Sequence, residues 1–466
     1  MKSHIRPTLL LAYPVMLSQL GHVAVGVCDT VLLGHLGQLP LAASSLGLSL
    51  TTWLLMLGLG ISMGNLPRVA AAHGRGDHAA LGRLLVGSVW MNSLVGLSLA
   101  GASLLLPLAL PWLHQAPEVA AKVVPWVRLL GFSMLPVMVF QGFREWAEGL
   151  GLTRQAMYLS VAGNVLNALL CYALIFGHFG APTLGFMGAA WATLAARVLQ
   201  ALGMALLVLL APALRPYRPA TAGQWLRPGA AELRGQLALG LPIGGQMMCE
   251  VGVFGAAGVL MGWIGVSTQA AHHIALNVAS VTYMAASGIG AAATIRVGHL
   301  RGAGDPAGAR QAGLVAFWLA FGFMGAMGGL LLALRQVIPP LYGADAEVAA
   351  QATTLLAIAA AFQVSDGLQV VGLGALRGLE DVRVPSVVAL FSYWGLALPL
   401  GYLLAFVLKL GAIGVWLGLL LGLSVVAGVL LLRFLRLSRQ VPTAPARPGE
   451  ALQNVEVLAS LREQLA

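Results

Sequence analysis

Long apolar runs separated by short polar breaks dominate the chain. Six lie near residues 8–33, 46–66, 84–108, 123–147, 156–178 and 186–211, and six more near 237–262, 273–295, 312–334, 349–375, 384–408 and 411–437. A helix needs about 20 apolar residues to cross the hydrocarbon of a bilayer. The pattern therefore predicts an all-α polytopic membrane protein with twelve transmembrane helices. Lys2 and Arg6 precede the first run, as in a signal peptide. However, Val-Gly-Val before Cys28 is a poor cleavage site and Asp29 interrupts the run, so the segment is expected to stay as a helix. Residues 212–236 are rich in Pro and Arg and predict a cytoplasmic linker. Residues 438–466 predict a cytoplasmic tail. It opens Pro-rich and ends with Leu452, Val455, Leu458 and Leu465, a spacing that fits disorder better than a surface helix.

The two sets of runs repeat one another. A shift of 228 positions aligns Pro14 with Pro242, Gly34 and Gly37 with Gly262 and Gly265, and Arg68 with Arg296. The same register carries Gly74, Gly76, Asp77 and Ala79 onto Gly302, Gly304, Asp305 and Ala307. Chance does not hold one gapless register over about 65 residues. The repeat divides the chain into an N-terminal lobe (1–211), the linker (212–236), a C-terminal lobe (237–437) and the tail (438–466). Each lobe carries six spans, an even number, so both enter from the same side and are related by an axis along the membrane normal. This pseudo-symmetric pair of six-helix lobes is a transporter's organisation.

Composition agrees with the pattern. Hydrophobic residues make up 59% and charged ones 9%, with a mean hydropathy of +0.86, whereas soluble chains carry about 25% charged residues. The net charge of +10 suggests nucleic acid in a soluble protein. Here the basic residues gather in loops on one face, and only Lys122, Arg128, Arg335 and Lys409 fall on the other. By the positive-inside rule both termini are cytoplasmic, and no nucleic-acid partner is expected. Cys28, Cys171 and Cys249 lie in apolar runs without metal-site or disulfide spacing.

Of sixteen acidic residues, three stand inside spans: Asp29 in the first, Glu250 in the seventh and Asp366 in the tenth. Each costs about 2.5–3.5 kcal/mol at mid-membrane, so a functional role is the default. Their helical neighbours are polar or soft. Gln19, His22, Gly26 and Asp29 form one stripe, Met247, Glu250 and Phe254 another, Phe362, Asp366 and Gln369 a third, and Asn277, Ser280 and Tyr283 follow in span eight. Carboxylates with amide and hydroxyl oxygens suit a hard monovalent cation such as Na⁺, and without one the pair holds a proton. Met and Phe supply an adaptable wall for varied apolar ligands. Glu250 and Asp366 are therefore the expected coupling-cation ligands, with Asp29 and Asn277 as further candidates.

Arg197 sits mid-span with three roles open to it: pairing an acid, snorkelling, or facing water. His272-His273 are placed at the outer start of span eight and lack a third metal ligand nearby. Gly60-x-x-x-Gly64 and Gly418-x-x-x-Gly422 read as helix-packing positions, and Gly74-Arg75-Gly76-Asp77 as a turn. No phosphate-binding loop, Ser-His-Asp set or HExxH appears, so neither ATP use nor enzymatic chemistry is expected, and no cofactor beyond a coupling ion.

These residues resemble the multidrug and toxic compound extrusion (MATE) family, in particular its NorM-like bacterial branch. The carriers are Cys28-Asp29-Thr30-Val31-Leu32-Leu33-Gly34-His35-Leu36-Gly37, Ile274-Ala275-Leu276-Asn277, Ile295-Arg296-Val297-Gly298-His299, Gly374-Ala375-Leu376-Arg377-Gly378 and Gly411-Ala412-Ile413-Gly414-Val415-Trp416. The resemblance implies a monomer in the bacterial inner membrane with a V-shaped cleft of alternating access. It further implies export of cationic, amphipathic drugs in exchange for Na⁺ or H⁺. Residue by residue, Glu250 and Asp366 match the branch's C-lobe cation-site acids, Asp29 its N-lobe acid, and Asn277 and Asn167 its asparagines in spans eight and five. Two positions depart. Phe362 stands where some relatives carry tyrosine, and Cys171 replaces a polar residue, which leaves Na⁺ and H⁺ both open. The alternative is a lipid-linked saccharide flippase of the same superfamily, which needs a cationic cleft for pyrophosphate. A non-transporting scaffold does not explain three mid-membrane acids.

Overall fold

The structure is a computed structural model describing residues 2–113, 116–219 and 221–440. The tail expectation from 441 onward lies outside the described residues. Among the described residues, twelve helices are long and apolar enough to cross a membrane: α1 Ser3–Gly34, α2 Gln38–Gly74, α3 His78–Leu108, α4 Pro117–Gly149, α5 Thr153–Phe176, α6 Phe186–Leu210, α7 Ala230–Ile264, α8 Val266–Gly302, α9 Pro306–Leu334, α10 Ala346–Gly378, α11 Arg383–Val407 and α12 Ala412–Leu437. Each predicted run coincides with one of them. Several helices continue past the apolar stretch, as α8 does at both ends, because hydropathy registers only the segment that oil can solvate.

The sequence repeat is a structural repeat. After α2 the backbone folds back on the helix end, the Asp77 N–H donating to the Ala72 carbonyl (3.1 Å); after α8 the Asp305 N–H donates likewise to the Leu300 carbonyl (2.9 Å). Gly76 and Gly304 take φ of +69° and +73° in these turns, a conformation glycine adopts without a Cβ penalty. Each aspartate then caps the next helix, Oδ1 accepting from Ala80 N–H (2.9 Å) or Gly308 N–H (2.8 Å).

Contacts gather the described chain into two compact units that do not divide where the repeat divides. One holds residues up to Gln19 together with those from Gly245 onward, and the other holds Leu20–Gly244. The cause is backbone-to-backbone packing. Within the Leu20–Gly244 unit, a Cβ on Gly60 would collide with the Gly244 backbone, and one on Gly64 with Gln236 O and Gly240. In the other unit, Gly288 lies equally close to Ala12 and Met16. Small residues let helices approach this closely, so the first half of α7 joins α2, and the first half of α1 joins α8.

The Leu20–Gly244 unit is centred on Trp146, fully buried among Leu81, Leu85, Phe143 and Met204, with its indole N–H donating to Leu81 O (2.9 Å). The Pro-rich linker is packed onto this core. Its helical turn Pro212–Tyr217 buries Leu214 and Tyr217, and the Tyr217 ring stands edge-on to His73 and His78. Trp146→Ala removes both the ring and the hydrogen bond, with an expected loss of about 3–5 kcal/mol. A fall in the thermal midpoint of the detergent-solubilised protein measures it.

Candidate functional site

Within the unit that continues from Gly245, helices α7, α8, α10 and α11 bring polar side chains around one carboxylate. Gln246 and Glu250 lie one turn apart on α7, and the Gln246 amide donates to Glu250 Oε2 (3.2 Å). From α10, Gln369 donates through Nε2 to Glu250 Oε1 (3.3 Å). Arg377, near the end of α10, donates to Gln246 Oε1 (3.1 Å), so it reaches the carboxylate through an amide. On α8, the Thr282 hydroxyl donates to Gln363 Oε1 of α10 (2.6 Å). Asp366 lies one turn from Gln363 and Gln369, 3% exposed, and accepts no hydrogen bond among the described residues. The phenols of Tyr283 on α8 and Tyr393 on α11 both lie in the electric field of the two carboxylates.

Aromatic rings close one side. Phe362 is fully buried, edge-on to Phe254 (6.2 Å) and to Trp416 (5.7 Å). Trp416 in turn donates to Nδ1 of the buried His272 (3.2 Å), while His273 beside it is exposed. Met247 is half-buried on α7. Asn277 is exposed on α8 and joins none of these hydrogen bonds.

The Leu20–Gly244 unit carries the third acid in a different setting. Asp29 Oδ1 accepts from the Cys171 thiol (3.2 Å), and Cys171 is also near Asn167 Oδ1 (3.9 Å). Asn167 donates to Thr193 Oγ1 (3.4 Å), which completes a chain from α1 through α5 to α6. Arg197 donates to Ser133 Oγ at the break in α4 (2.5 Å), with Asp29 the acid whose charge it feels. His22 is exposed and Gln19 half-buried; Gly26 has open space where a side chain would stand. The tightest buried ion pair, Arg144–Glu148 (2.6 Å), lies at the end of α4. Among the described residues no ion pair engages Asp29, Glu250 or Asp366.

Several members of these networks escape a reading of the sequence. Gln246 is legible in retrospect, since it sits four residues before Glu250 on the same stripe. Tyr393 is not, because it lies in a π-helical stretch of α11, Phe391–Ala397, whose wider turn rotates side chains off the 3.6-residue register. Arg144 and Glu148 look like loop-side charges until the fold buries them together. A carboxylate without an ion-pair partner can take up a proton or a small cation without first breaking a salt bridge.

Comparison with known proteins fits this architecture. The MatE family profile matches residues 14–173 and 242–403, one stretch in each repeat. The probable multidrug resistance protein NorM of Mesorhizobium japonicum is 36% identical over 453 residues, covering 95% of this chain and 96% of that protein. The multidrug resistance protein PmpM of Pseudomonas aeruginosa is 35% identical over 465 residues, covering 98% and 96%. Among solved structures, the eukaryotic MATE transporter AtDTX14 superposes with a TM-score of 0.82 at 21% identity, over 94% of this chain and 98% of that one.

Proposed function

The chain belongs to the MatE family, on its NorM-like bacterial branch, and from that premise we propose that it is a multidrug exporter of the inner membrane, driven by inward flow of Na⁺ or H⁺. Its cargo is organic cations with apolar bodies, and it acts as a monomer with both termini in the cytoplasm. An inorganic cation entering from outside neutralises Glu250 and Asp366. Their hold on the organic cation weakens, and the drug leaves outward. Asp29, with Cys171 as its donor, supplies a second negative centre that titrates with the same cycle.

One observation carries this reading: Asp29, Glu250 and Asp366 stand inside membrane helices, and none of the three is in an ion pair among the described residues. Free buried charge of one sign is what an exchanger of cations requires. Lipid-linked saccharide flipping needs cations displayed for a pyrophosphate. The mid-span arginine, Arg197, instead has a guanidinium nitrogen hydrogen-bonded to Ser133, which weighs against that alternative. Purified protein in proteoliposomes, loaded with ethidium and given separate Na⁺ and pH gradients, tests the proposal. Efflux driven by at least one gradient supports it, and no driven efflux under either refutes it.

A further inference from the structure

Two arginines at equivalent places in the repeat each hold the first helix of the opposite repeat. Arg68, near the end of α2, donates through Nη1 to the Glu232 carbonyl in the first turn of α7 (2.7 Å). Arg296, near the end of α8, donates through Nη2 to His4 Nδ1 in the first turn of α1 (2.7 Å). A guanidinium has no acceptor, so here the ring nitrogen accepts. Arg68 and Arg296 are 228 positions apart, and so are His4 and Glu232, which is the register of the repeat itself. The accepting atoms nevertheless differ. The Glu232 carboxylate is taken by Arg83 (3.2 Å), and Arg68 uses the backbone instead. What the two halves share is a charged donor against the start of a helix, whatever accepts from it there.

About two turns before each arginine, Gly60 lies against the Gly244 backbone and Gly288 against Ala12 and Met16. These two glycines are also 228 positions apart. A backbone-on-backbone contact has no side chain to rearrange, so the helices can tilt about it. Any such tilt displaces the starts of α1 and α7, and there the arginine hydrogen bonds must break. Each crossing thus pairs a pivot with a fastening. Between them lie Thr8 on α1 and Gln236 on α7, equivalent in the repeat and both fully buried. The Arg68 crossing belongs to the Leu20–Gly244 unit and the Arg296 crossing to the other.

We propose that Arg68 and Arg296 are paired latches, released together when the two repeats rock, and that they set how often the starts of α1 and α7 open to water. The rocking belongs to the exporter reading above, on which this step rests. If one motion opens both crossings, losing either latch favours the open state at both. A static contact loosens only its own crossing.

Thr8→Cys and Gln236→Cys, one in each crossing, report the difference. Their modification by N-ethylmaleimide is followed by mass spectrometry of each peptide in the purified full-length protein, with Cys28, Cys171 and Cys249 left in place. Labelling is expected to be slow while both arginines are present. Arg68→Gln and Arg296→Gln each remove a hydrogen bond from a charged donor, and each is expected to speed labelling about tenfold at both reporters. Arg68→Lys and Arg296→Lys keep a charged donor and are expected to speed it less; they serve as the second pair if the glutamine variants fold poorly. Acceleration confined to the reporter in the variant's own crossing, or at neither reporter, overturns the proposal. Coupled acceleration in a protein that expels no ethidium under any gradient keeps the latches and refutes the exporter reading. Local acceleration in a protein that does expel ethidium refutes the latches and leaves the exporter reading standing.

Discussion

Asp366→Asn is expected to abolish ethidium accumulation in everted membrane vesicles while the protein remains folded and expressed. The substitution keeps the shape of a side chain that is 3% exposed and removes its charge. Burying an amide costs less than burying a carboxylate, and no hydrogen bond to Asp366 is lost among the described residues, so the thermal midpoint holds or rises. What disappears is the coupling. One charge moved through 100 mV supplies about 2.3 kcal/mol, enough for a drug gradient of roughly fifty-fold at 1.4 kcal/mol per decade. Without that charge the accumulation ratio falls to about one. Accumulation at the wild-type level in the variant removes Asp366 from the mechanism.

Gly374→Leu is expected to destabilise the fold and the site together. At this position α10 lies directly on α8: a Cβ would enter the Gly290 backbone, and Thr294 Oγ1 donates to Gly374 O (2.9 Å). A leucine forces the two helices apart and costs about 3 kcal/mol or more. It also separates Thr282 and Tyr283 on α8 from Gln363, Asp366 and Gln369 on α10, so binding fails along with packing. Gly428→Leu, on α12 where a Cβ would meet nothing within 4 Å, is the matched control and is expected to be nearly neutral. Thermal midpoints of the two variants in detergent measure the difference. Equal midpoints would show that the α8–α10 contact tolerates a side chain.

The membrane spans were legible because oil imposes a length and a composition on every helix that crosses it. The repeat was legible because the same turn is built twice, with Gly76-Asp77 and Gly304-Asp305 in equivalent roles. Asp29, Glu250 and Asp366 stood out as charge in apolar runs, where its cost is hard to overlook. Other features depend on information that no linear pattern carries. The passage between compact units at Gln19 and Gly244 follows from glycines whose partners lie far along the chain. Tyr393 enters the acid cluster by way of a π turn, and helical periodicity assumes the α register. Asn277 precedes Ser280 and Tyr283 on α8, and its exposed side chain joins none of the hydrogen bonds of the acid cluster. The linker reads as a flexible Pro-rich stretch until Leu214 and Tyr217 find a core to enter.

The central claim is that the buried carboxylates exchange an inorganic cation for an organic one. Equilibrium binding of ethidium to the purified protein, titrated with Na⁺ at fixed pH and with protons at zero Na⁺, tests it most directly. At least one inorganic cation is expected to displace ethidium from the wild type, with the antagonism lost in a Glu250→Gln, Asp366→Asn double variant. Ethidium binding that neither cation weakens, or antagonism that survives the double variant, would contradict the claim.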